Sequence, residues 1–206
     1  MRTPVFVMAG FLDSGKTTLA REVLKRSGKP EEWLIIVCEH GDEDYGNEYE
    51  TVSIEAMEDL DSRFFEHIIE RYPERKVLLE YNGTWPLTSL YQIGLPPGMV
   101  IQNVTYVLDG STSEAYIRNM GPMLLEQMNF ADCFSFTKGY PEEKVIWLLK
   151  QLNQRAAMED TDSVEGMGRI AEGFREYRVR TLRDWISISM IITSICIMAY
   201  HYVNSF

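Results

Sequence analysis

The chain has 206 residues, of which 45% are hydrophobic, enough to fill one core of ordinary size. Its formal net charge of −11 argues against a protein that tracks nucleic-acid phosphates, because that work needs a basic surface. Cys38, Cys133 and Cys196 lie far apart with no CxxC spacing, so neither a disulfide framework nor a cysteine-rich zinc site is expected, and a reducing compartment fits.

In chain order, the opening MRTPVFVMAGF is a short apolar run that leads into a glycine loop without a signal-peptide cleavage pattern. The globular part is therefore expected in the cytoplasm. Strands are predicted at 4–8, 33–38, 76–81, 104–108 and 133–136, and helices at 17–26, 61–72, 113–130 and 141–152. In the last helix Val145, Leu148, Leu149 and Leu152 recur at helical spacing. Runs such as Leu34–Ile35–Ile36–Val37 show no polar alternation, as strands buried on both faces do. The alternation predicts an α/β fold with a mainly parallel sheet and a nucleotide-binding domain over 1–157.

After residue 157 the composition turns to Glu, Asp, Gly and Ser, so 158–183 is predicted as a linker whose end is basic through Arg175, Arg178, Arg180 and Arg183. Residues 185–206 contain no Asp, Glu, Lys or Arg. As a helix, 185–203 would rise about 28 Å, close to the hydrocarbon core of a bilayer. Trp185 at one end and Tyr200, Tyr202 and Phe206 at the other suit the two interfaces, and the arginines orient the N-terminal side toward the cytoplasm. The expectation for 184–206 is a C-terminal apolar helix that anchors the domain in a membrane by a single span. An apolar helix packed on the domain or on a partner is the alternative.

Residues 10–17 read GFLDSGKT, a complete GxxxxGK[ST] phosphate loop set between a predicted strand and helix. Gly10 and Gly15 let the backbone wrap phosphate oxygens, Asp13 lies within the wrap, and amides from Ser14 to Thr18 donate to the anion. Lys16 would neutralise β/γ-phosphate charge, and the Thr17 hydroxyl would take one place on an octahedral Mg²⁺.

With PVFVMAGFLDSGKTTLARE written out, the chain resembles the CobW/HypB/UreG family of P-loop GTPases, and the CobW branch in particular. Glu80–Tyr81–Asn82–Gly83 looks like the family's ExxG, which implies Glu80 as the Mg²⁺ and water-positioning residue and Gly83 as a γ-phosphate switch. Cys38–Glu39–His40–Gly41 is similar to the NExG segment, with Glu39 in the acidic, metal-facing position. Asp109 closes TYVLD as a family aspartate does. ADCFSFTK leads to the base-recognition motif, which implies nucleotide contacts by Thr137 and Lys138. Tyr140 stands where that motif, [NST]KxD, carries its carboxylate, so the expected ligand is GTP or ATP with Mg²⁺. The branch's CxCC metal motif is absent, and linker and tail replace its C-terminal domain.

The remaining constellations carry less. Glu39, His40, Asp42, Glu43, Asp44, Glu48 and Glu50 form an acidic loop, read as a solvated switch in preference to a second metal site. His67 is expected on a helix at the core edge. The functional expectation is a membrane-tethered slow GTPase in which Lys16 and Glu80 carry catalysis, related to metal-insertion or metal-transport accessory proteins. Expected partners are an integral membrane protein such as a permease and, as an assembly, a homodimer; nucleic acid is not expected. The rival reading is a nucleotide-sensing membrane adaptor with little or no hydrolysis, and a small-molecule kinase ranks third.

Overall fold

A computed structural model describes residues 3–39, 44–119 and 122–175, with the backbone alone at 122–124. The predicted C-terminal helix at 184–206, the anchor built on it and Arg178, Arg180 and Arg183 before it lie outside the described residues. Among the described residues no helix is long and apolar enough to cross a membrane.

The elements alternate along the chain: β1 (Thr3–Gly10), α1 (Lys16–Ser27), β2 (Trp33–Val37), β3 (Glu50–Ser53), α2 (Ser62–Arg71), β4 (Lys76–Glu80) and α3 (Leu87–Gln92). Then come β5 (Met99–Asp109), α4 (Ser113–Asn119), α5 (Pro122–Phe130), β6 (Cys133–Thr137), α6 (Glu143–Leu152), β7 (Ala157–Asp160) and α7 (Val164–Gly173). The seven strands form one sheet in the order β3-β2-β4-β1-β5-β6-β7, and every pairing is parallel. Helices cover both faces, which gives the expected α/β sandwich of three layers.

The period-2 rule assigns the faces. Val5, Val7 and Ala9 of β1 enter a core with Phe65, Met128 and Leu149, the side of α2, α5 and α6. Phe6 and Met8 enter the opposite core with Leu19, Val23, Met167 and Phe174, the side of α1 and α7. In β4 the same alternation puts Leu78 on the α1 side, and Glu80, two residues on, follows it. A carboxylate is thereby delivered to the start of α1.

Two expectations are corrected. The stretch 158–173 is not a linker: β7 pairs with β6 from Cys133↔Ala157 to Phe136↔Asp160, and Arg169 holds Glu159 through two bonds of 2.8 Å. Phe174 is 1% exposed and stacks on Phe6 at 5.0 Å. The domain therefore runs past 157 at least to Phe174; an acidic, glycine-containing strand-and-helix pair at a sheet edge resembles a linker in composition because only one face of each piece is buried. The helix predicted over 113–130 is seen at 113–119 as α4 and at 122–130 as α5, the residues between lying outside the described ones. Secondly, β5 begins at Met99 and not at residue 104, with a register shift against β1 that skips Gln102. His67 lies on α2 as expected, but on its exposed side.

Candidate nucleotide site

The loop from Phe11 to Gly15 connects the C-terminal end of β1 to α1, at the point where the chain passes first to β2 on one side and later to β5 on the other. Crevices of this kind form at the carboxyl ends of parallel strands. Gly10 has φ +138°, and a Cβ there would stand 2.4 Å from the Val107 carbonyl oxygen; a Cβ on Gly83 would stand 2.4 Å from the Gly10 oxygen. Neither place admits a side chain, so the loop after β4 packs directly on the phosphate loop. Gly15 precedes α1, and no side chain caps the helix start, which leaves its first turn suited to an anion.

Side chains from β6 brace the loop from below. Thr137 Oγ1 donates to the Ser14 carbonyl at 2.7 Å, and Ser14 Oγ donates to the Phe11 carbonyl at 2.8 Å. Lys138 Nζ donates to the Asp13 carbonyl at 2.9 Å and pairs with Asp109 Oδ2 at 2.9 Å. Burial acts against charge on Asp109, but bonds from Ser111 and Lys138 outweigh it and hold the carboxyl below its usual range. Thr137 and Lys138 thus reach the phosphate loop from the end of β6, with Asp109 holding Lys138.

Lys16 is 4% exposed and donates to Gly10 O at 2.9 Å, to Phe11 O at 2.6 Å and to Glu39 Oε2 at 2.6 Å. Its ammonium is fully committed to the loop and to Glu39. Beside it, Thr17 Oγ1 donates to Glu80 Oε1 at 2.8 Å, and the Tyr45 hydroxyl donates to Glu80 Oε2. Burial raises the Glu80 pKa, against the opposing bonds from Tyr45 and Thr17 and the charge of Lys16. Of the three residues predicted to face Mg²⁺, Thr17 and Glu80 are therefore in contact, and Glu39 meets the lysine. A hydroxyl and a carboxylate oxygen side by side at a phosphate loop are the hard donors that Mg²⁺ takes, so these residues fit the ion. Among the described residues no group of three His, Cys, Asp or Glu is placed to hold a metal by itself.

A cleft of about 360 Å³ adjoins the loop, between Gly15 and Thr18, the Thr137–Lys138 pair, and Thr161 and Asp162 from the β7–α7 connection. Tyr140 is not part of this lining; its ring packs edge-on to Phe136 at 5.1 Å. Two residues of the site escaped the sequence reading. Tyr45 sits in an acidic loop where nothing in the spacing marks an aromatic donor to Glu80, and Asp162 sits in the stretch read as linker.

This arrangement is that of a P-loop nucleotide-binding fold. Neither a protein-family model nor a curated protein sequence matches the chain. Among solved structures, the hydrogenase maturation factor HypB from Archaeoglobus fulgidus is similar at 16% identity and TM-score 0.61, over 84% of this chain and 89% of that one. The zinc-bound YjiA GTPase from E. coli is similar at 18% identity and TM-score 0.60, over 89% of this chain and 69% of that one. HypB from Helicobacter pylori in complex with nickel matches at 12% identity and TM-score 0.58, over 86% and 91%. The fold is that of CobW/HypB/UreG-like P-loop GTPases.

Proposed function

We propose that the chain binds a purine nucleoside triphosphate with Mg²⁺ and hydrolyses it slowly, GTP being the preferred ligand. The observation that carries this is the Thr17–Glu80 contact of 2.8 Å beside a buried Lys16 at the foot of a complete phosphate loop. Mg²⁺ bound there would neutralise phosphate charge and polarise the β- and γ-oxygens. The chain's own part is positioning: Lys16 exchanges Glu39 and loop carbonyls for phosphate oxygens, and Glu80, released by Tyr45, orients the attacking water. The bonds that Lys16 and Glu80 make to Glu39, Thr17 and Tyr45 are the ones that nucleotide and Mg²⁺ would compete with. Nucleotide binding would reorder the segment that carries Glu39 and Tyr45.

The likeness to HypB and YjiA supports a role in handling a transition metal, with the nucleotide state controlling a partner or a second copy of the chain. For the tail, the charge-free run 185–206 after four arginines supports a membrane anchor, hence a cytoplasmic domain beside an integral membrane partner such as a permease.

The test is a titration of the full-length chain with fluorescent GTP and ATP analogues in Mg²⁺, followed by phosphate release. Wild type is expected to bind, Lys16→Ala to lose binding, and Glu80→Gln to bind without turnover. Absence of binding by wild type refutes the proposal. Equal and negligible turnover by wild type and Glu80→Gln, with binding intact, replaces the hydrolase by a nucleotide-sensing adaptor.

A further inference from the structure

We propose that Asp162 is the specificity-determining carboxylate of the nucleotide cleft, reading the N1 and N2 hydrogens of guanine in place of the acidic residue that Tyr140 displaces. The inference rests on the reading of the cleft as a nucleotide site and adds to it which residue chooses the base.

Position 140 does not supply the carboxylate, and its tyrosine ring is turned onto Phe136 and away from the cleft lining. Asp162 approaches the same loop from the neighbouring strand. β7 runs parallel to β6, and the connection that follows it crosses the end of the base-recognition loop. There Asp162 Oδ2 accepts the Gly139 amide at 3.2 Å, which fixes the carboxylate against the Thr137–Lys138–Gly139 segment. Its second oxygen makes no hydrogen bond among the described residues, and the side chain lines the cleft and is open to solvent.

The other carboxylates nearby are committed elsewhere. Glu22, also on the lining, pairs with Lys25 at 2.9 Å, and Asp109 pairs with Lys138 at 2.9 Å. Leu19 and Met167 add apolar surface on which a purine ring can lie. The Thr161 hydroxyl, by contrast, donates to the Phe136 carbonyl at 2.8 Å and serves the strand connection.

The chemistry of the edge then decides between bases. An ionised carboxylate only accepts, so it matches guanine, which presents N1–H and N2–H donors together. Adenine offers a lone pair at N1 and one amino group, and leaves a carboxylate oxygen facing an acceptor. An asparagine at 162 presents one acceptor and one donor, the complement of xanthine, whose N1–H donates and whose C2 carbonyl accepts.

The experiment measures GTP, ATP and XTP binding by full-length wild type, Asp162→Asn, Tyr140→Phe and Lys16→Ala, with circular dichroism to confirm folding. Wild type is expected to prefer GTP, and Asp162→Asn to shift the XTP-to-GTP affinity ratio by about 100-fold or more toward XTP. Tyr140→Phe should leave that ratio at the wild-type value. A purely structural Asp162 would weaken all three nucleotides alike, and an unchanged ratio in Asp162→Asn overturns the inference. If that happens while Lys16→Ala still abolishes GTP binding, the nucleotide site stands without this residue. If wild type binds none of the three, the site itself falls and the inference with it.

Discussion

Replacing Tyr45 by phenylalanine removes one hydroxyl and tests how Glu80 is held. That hydroxyl donates to Glu80, which is 3% exposed and whose carboxylate, among the described residues, otherwise accepts from Thr17. A hydrogen bond to a charged group contributes about 1.5–3 kcal/mol, so Tyr45→Phe should lower Tm by about 3–12 °C near neutral pH for a chain of this size. The pH dependence has a definite sign. Burial raises the folded pKa of Glu80, so the protonated acid is favoured in the fold, and stability from this group falls as pH rises through its unfolded value toward the folded one. The Tyr45 bond offsets that loss only where the carboxylate is charged. Its removal should therefore cost more on the alkaline side of the Glu80 titration, where the acceptor is charged, than on the acid side, where the bond is neutral to neutral.

The same bond must break before Glu80 can turn to Mg²⁺ and water. Stability lost with that bond returns as affinity, and Tyr45→Phe should bind Mg²⁺–nucleotide about 10- to 150-fold more tightly, from the same 1.5–3 kcal/mol. The assays are thermal melts across pH, a nucleotide titration, and a double-mutant cycle with Glu80→Met. The reasoning is refuted if Tyr45→Phe destabilises the Glu80→Met protein as much as the wild type, or if nucleotide affinity falls.

Three further outcomes are expected. Gly10→Ala places a Cβ 2.4 Å from the Val107 oxygen at φ +138°. It should cost about 1–3 kcal/mol for the backbone alone, with the overlap in addition, and should abolish nucleotide binding, as read by urea denaturation and titration. Phe174→Ala should cost about 3–5 kcal/mol in urea, because the ring stacks on Phe6 inside the α1–α7 core; a cost under about 1 kcal/mol would return that segment to the linker first read from composition. Cys38 and Cys133 are buried, and burial pushes both thiols up to about 12, so in a Cys196→Ser background no thiol should react with an alkylating probe at about pH 8 until the protein unfolds.

The sequence by itself determined the core strands and the phosphate loop, whereas Glu80 beside Thr17 came from a family resemblance. Strands and loop each rest on a signal a single segment carries: unbroken apolar runs for strands buried on both faces, and glycines at fixed offsets before a helix. It also held a legible start to α7, where the Ser163 side chain accepts the Gly166 amide at 2.9 Å, but the acidic composition around it outweighed that cap in the reading. Only the tertiary structure decided what those segments meet. A four-residue strand such as β3 or β7 is too short for periodicity to stand out and forms because a neighbouring edge offers it a ladder. Tyr45 reaches Glu80 from 35 residues away, and Asp162 joins Gly139 from 23, through the order in which parallel strands lie side by side. Such partners have no fixed spacing in sequence, because the crossovers that bring strand ends together can be of any length. The elements were local matters, and the chemistry at the end of the sheet was settled by which loops the sheet sets next to one another.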